Sequence, residues 1–269
     1  MDLLPLALIF FGAGLTAVFY YIFGPSKEFL KERLPNRPSL AGIILWLLVC
    51  LAFYFIIKNN QGFSRTMLIF TLIFSLLVFE TFFLFLIRFL RSNTLAVIFA
   101  LLVSAGSFIF HYYYPTFALR NTIIILATLG ASALLIKLNY LKTWLMFAFA
   151  FLWTGYDIYA TRYFLPGVLV PVTEPPKTFF FPSVITGSVS LGSGDFIFLV
   201  LFLMIITREF GLLPALLLLA AETVGLLITG FFLESDSIIP FLAVMTPIFI
   251  MTYIISYIHY KKPKEKKYA

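Results

Sequence analysis

Apolar stretches of about twenty residues follow one another along this chain, separated by short polar connections. No other feature constrains its folding as strongly. A helix rises about 1.5 Å per residue, so about twenty residues cross the hydrocarbon layer of a bilayer. No water reaches backbone amides in that layer, so each crossing segment must satisfy its hydrogen bonds within itself, as helix. Nine such segments can be read, at 3–23, 40–57, 67–90, 95–114, 121–140, 143–165, 183–206, 212–233 and 239–259. The expected fold is an all-α integral membrane protein with nine transmembrane helices, one polytopic domain over 1–269. Within it, 1–142 supplies five helices, 143–206 the sixth and seventh, 207–260 the eighth and ninth, and 261–269 is a basic tail.

Composition removes a water-soluble fold. Hydrophobic residues make up 62% and charged ones 12%, with a mean hydropathy of +1.03, too little polar surface for a soluble domain of this size. A net charge of +7 would suit nucleic acid, but the basic residues lie in short loops and a terminal run, so no nucleic-acid partner is expected. Cys50 is the single cysteine, which excludes an intrachain disulfide or a cysteine metal cluster. His111 and His259 sit far apart at span ends and are expected to be interfacial residues rather than metal ligands. The stretch 3–23 lacks a basic start and is long for a signal segment, so it is expected to be a retained first span.

Charge also orients the chain. With nine spans, fourteen Lys and Arg fall on one side: Lys27, Lys31, Arg33, Arg37, Arg88, Arg91, Lys137, Lys142, Arg208 and five in the tail. Lys58, Arg65, Arg120, Arg162 and Lys177 make five on the other. The positive-inside rule then puts the N-terminus outside and the C-terminus in the cytoplasm. The lysine tail is expected to touch anionic lipid headgroups, and the loop "GPSKEFLKERLPNRP" to form an interfacial helix.

Two carboxylates interrupt this pattern in consecutive spans. "WTGYDIYATRYF" carries Asp157 and "PSVITGSVSLGSGDFIFLVLFLMII" carries Asp195, read here as lying beyond the middle of its helix. An isolated ionised aspartate costs several kcal/mol in hydrocarbon, so such acids face a cavity or one another. Antiparallel neighbours bring the two to similar depth. Carboxylates held together do not easily both ionise and hold one proton between them, which provides a base for water and an acid for a departing amine. Gly192 and Gly194 leave room in front of Asp195 for a neighbouring backbone.

"YD" at Tyr156–Asp157, followed one span later by "GSGDF" at Gly192–Phe196, resembles the Tyr-Asp and Gly-x-Gly-Asp motifs of the presenilin and signal peptide peptidase family of intramembrane aspartyl proteases. The nine spans, with motifs in the sixth and seventh, match that family's layout over essentially the whole chain. The resemblance implies a presenilin-like bundle, Asp157 and Asp195 as catalytic pair, Tyr156 shaping the pocket, and no metal or organic cofactor. The family's third motif, Pro-Ala-Leu, has two counterparts: Pro240, Phe241 and Leu242 at the head of the ninth span, and a literal copy at Pro214–Leu216. Position favours the first; Pro214 suits an ordinary helix start. Substrates implied are single-span membrane proteins or signal-peptide remnants, with no obligate partner subunit. Short loops without an N-x-Ser/Thr sequon fit an archaeal or bacterial origin.

A protease in lipid must also unwind its substrate. The five-proline stretch 166–182 cannot be helical throughout, and Val168, Val170 and Val172 are expected to offer it a strand edge. Gly187, Ser188, Ser190, Gly192 and Ser193 would leave a path for water. The rival reading is a proton-coupled transporter or channel using Asp157, Asp195, Glu80 and Glu222, although no internal repeat supports it. A non-catalytic scaffold and a prepilin-type peptidase also compete with the protease reading. A zinc protease fits poorly, since the sequence has no HExxH.

Overall fold

A computed structural model describes residues 3–24, 65–90, 92–137, 143–163, 183–186, 189–232 and 241–260. Nearly all of this is helix: α1 (Leu3–Phe23), α2 (Arg65–Phe89), α3 (Asn93–Tyr113), α4 (Phe117–Lys137), α5 (Thr143–Tyr163), α6 (Ser193–Phe210), α7 (Leu212–Phe232) and α8 (Leu242–Tyr260). One two-stranded sheet pairs β1 (Ser183–Thr186) with β2 (Val189–Gly192). Strands two residues apart in the chain can pair only antiparallel, so β1 and β2 form a hairpin leading directly into α6.

Local chemistry sets the helix starts and stops. Ser92 precedes α3 and its hydroxyl accepts the Leu95 N–H, while Thr116 does the same for Leu119 at the start of α4. Gly211 separates α6 from α7 with φ +96°, a backbone state that a side chain would strain. The chain reverses there.

Five described helices are long and apolar enough to cross a membrane: α1, the Thr71–Phe89 part of α2, α3, Leu212–Phe231 of α7, and α8. The expectation of nine spans is therefore not supported. Of the expected segments, 40–57 lies outside the described residues. The segment 183–206 is corrected: it opens as a hairpin, and helix begins only at Ser193. Its β-branched Val, Ile and Thr suit strands better than helix, a signal that overall apolarity obscured. Neither aspartate-bearing helix, α5 or α6, is among the five.

The described residues fall into two compact units. One, made of the described residues within 1–22, 139–171 and 185–269, packs α6 against α7 and α8, and α5 against α8. Gly14 of α1 lies against Leu219 and Leu203, and Gly230 of α7 lies against Leu3, so small residues let the backbones approach. The stacked rings of Phe202 and Phe249, 4.1 Å apart, fill the space between α6 and α8. The other unit, 23–138 and 172–184, packs α2 against α3 and α4. Gly130 of α4 rests on the Leu77 carbonyl of α2, the Thr81 hydroxyl donates to the Leu126 carbonyl at 2.6 Å, and Ser104 donates to the Ser75 carbonyl at 2.8 Å.

Candidate active site

α5 presents one semi-buried face, with Thr143, Met146, Ala150, Thr154 and Asp157 recurring at three- and four-residue intervals. Its first residue is tied to the end of α6. Arg208 Nη2 donates to Thr143 Oγ1 at 2.8 Å, Thr143 Oγ1 donates to Glu209 Oε1 at 3.1 Å, and Arg208 and Glu209 pair at 3.2 Å. The helices are therefore antiparallel with a fixed register. Thr143 and Asp157 are fourteen residues apart, as are Glu209 and Asp195. About 21 Å of helix on each side brings both carboxylates to the same level.

There they meet. The carboxylates of Asp157 and Asp195 are close enough to interact electrostatically, and both side chains are half-buried. Asp195 lies in the first turn of α6, not past the middle of a helix as expected. Its Oδ2 accepts the Gly192 N–H at 3.1 Å, one half of a capping box, at the end of the helix where the dipole favours negative charge. Asp157 Oδ2 accepts the Leu242 N–H at 3.2 Å. Each carboxylate is steadied by a backbone donor.

The glycines before Asp195 differ in surroundings. A Cβ on Gly192 would stand 3.3 Å from Asp195 Oδ2, whereas one on Gly194 would meet Trp153 Nε1 of α5 at an ordinary 3.8 Å. Beneath the site, Phe196 and Phe241 both pack edge-on against the buried ring of Phe10, at 5.8 and 5.5 Å. One aromatic residue of α1 thus supports the residues next to Asp195 and to Leu242.

Of the residues anticipated from sequence, Asp157, Asp195, Gly192, Gly194, Phe241 and Leu242 gather here. Pro240 lies outside the described residues, as do Val168, Val170, Val172, Gly187, Ser188 and Cys50. Tyr156 is 60% exposed with its ring 5.5 Å from that of Trp153. Pro214 is buried in the first turn of α7. His111, in the last turn of α3, is 1% exposed, turned inward with Ala100, Ser104 and Phe108; His259 is exposed in the last turn of α8. Glu80 is half-buried in α2 of the other unit. Glu222, in α7, is fully buried, and neither of its oxygens has a hydrogen-bond partner among the described residues.

Sequence reasoning passed over Phe10, Thr143, Thr154 and Thr246. Thr154 carried one available signal, a hydroxyl one turn before an intramembrane acid. Among the described residues no group of three or more His, Cys, Asp or Glu could hold a metal ion. No model of a known protein family matches the chain, and no curated protein matches it.

Proposed function

We propose that this chain is an aspartic endopeptidase that hydrolyses peptide bonds within transmembrane segments, a relative in design of the presenilin and signal peptide peptidase enzymes it resembles. The observation that carries the reading is that Asp157 and Asp195, on consecutive antiparallel helices, come within electrostatic range of one another, inside a chain of membrane-length apolar helices. The ionised member takes a proton from water as that water attacks the scissile carbonyl. The protonated member donates to the carbonyl oxygen, and the tetrahedral intermediate collapses as a proton passes to the departing amine. Leu242 N–H and Gly192 N–H hold the carboxylates in place through the cycle.

The hairpin supports the same reading. A two-stranded sheet has outer edges whose backbone groups need water or a partner, and β2 runs straight into the turn that holds Asp195. An unwound substrate segment added to that edge would be delivered extended, with its amides accessible. Substrates in this account are single-span proteins or signal-peptide remnants, cleaved by a chain with its N-terminus outside and its basic tail in the cytoplasm.

A second reading, a proton-coupled transporter, draws on the buried Glu222, which has no hydrogen-bond partner among the described residues. Purified protein in detergent and in liposomes separates them. Cleavage of a model transmembrane peptide, lost in both Asp157→Ala and Asp195→Ala, is the result expected. Proton or ion flux abolished by Glu222→Gln, with no cleavage by the wild type, would replace the protease with the transporter.

A further inference from the structure

The first turn of α8 is held from outside its own helix. Phe241 is the cap, its carbonyl accepting the Val244 and Met245 N–H groups at 2.9 and 3.0 Å, so Leu242 is the first helical residue. Pro247 follows five residues later, inside the helix. It has no N–H to offer the Ala243 carbonyl, and its ring crowds that turn. One of the bonds that would tie residues 242–246 to the remainder of α8 is thereby missing, and these residues present the N–H that Asp157 accepts.

A second contact ties this turn to α5. Thr154 Oγ1 lies 2.8 Å from Thr246 Oγ1 and 3.4 Å from the Leu242 carbonyl. Thr246 is 2% exposed, so its hydroxyl has little access to other partners. Thr154 stands one turn before Asp157, and Thr246 one turn after Leu242. The two hydroxyls and the carboxylate–amide bond are successive rungs between the same pair of helices.

We propose that Thr154 and Thr246 are positioning residues: their hydroxyl pair latches the first turn of α8, which lacks the hydrogen bond that Pro247 cannot donate, to α5 and keeps the Leu242 N–H on Asp157. The latch acts through Asp157 and touches no substrate. Its catalytic consequence rests on the protease reading; its structural consequence does not.

The test uses purified full-length protein and two readouts. Thr154→Val and Thr246→Val keep the shape and remove the hydroxyl; Thr154→Ser keeps the hydroxyl. Hydrogen exchange of the segment 241–246 should speed up about tenfold in each Val variant and remain near wild type in the Ser variant, the change expected for loss of one hydrogen bond. On a model transmembrane peptide, kcat should fall about tenfold in the Val variants with KM unchanged, and recover in Thr154→Ser. Unchanged exchange in both Val variants overturns the latch, whatever the activity. Faster exchange with unaltered kcat overturns its role in positioning Asp157. Faster exchange in a protein whose wild type cleaves nothing upholds the latch and overturns the protease reading instead.

Discussion

Leu242→Pro is a direct probe of the donor on Asp157. Proline at the first residue of a helix is sterically welcome, and its only deletion there is an N–H that the helix itself does not use. In this chain that N–H goes to the Asp157 carboxylate at 3.2 Å. A hydrogen bond to a charged group contributes about 1.5–3 kcal/mol, and 3.2 Å is the long end of the usual range, so the lower figure applies. About 1.5 kcal/mol corresponds to roughly tenfold in rate. The control is Leu242→Ala, which keeps the N–H but empties a buried side-chain site, Leu242 being 2% exposed. Initial rates on a transmembrane peptide substrate, at a temperature where both variants are folded, should give kcat/KM about tenfold lower for the proline variant than for alanine. Equal rates for the two variants would refute the assignment of this N–H to the catalytic carboxylate.

Gly192→Ala crowds Asp195 Oδ2 and should lower kcat about tenfold, since displacing a catalytic group by a fraction of an ångström is costly, while Gly194→Ala, facing Trp153 at 3.8 Å, should remain within about threefold. Glu222→Leu should raise stability by about 1–3 kcal/mol in thermal unfolding, because it removes a buried carboxyl that has no hydrogen-bond partner among the described residues, and should leave cleavage intact. Gly130→Ala drives a methyl into the Leu77 backbone and should destabilise by about 1–3 kcal/mol, with activity retained below the melting transition.

What the sequence made legible follows from lengths and charges. Twenty-residue apolar runs identify α1, α3, α7 and α8 because hydrocarbon permits one backbone solution. The acids Asp157 and Asp195 were visible for the same reason, as charges where charge is expensive. The hairpin before Asp195 was not legible from apolarity, which is shared by strands and helices; only the β-branched Val, Ile and Thr in "PSVITGSVSLGSGD" hinted at it. Contacts such as Thr154 with Thr246 join residues 92 positions apart and have no local signature. The equal fourteen-residue offsets to Thr143 and Glu209 could be recognised only once those two ends were seen to meet.

The account depends on Asp157 and Asp195 facing one another. In a Cys50→Ser background, the pair Asp157→Cys and Asp195→Cys should be joined by a short bis-thiol reagent in native membranes. Replacing Asp157→Cys with Tyr156→Cys, at a position 60% exposed, should abolish the link. Failure of the first pair to crosslink, or equal crosslinking of the second, would contradict the shared site.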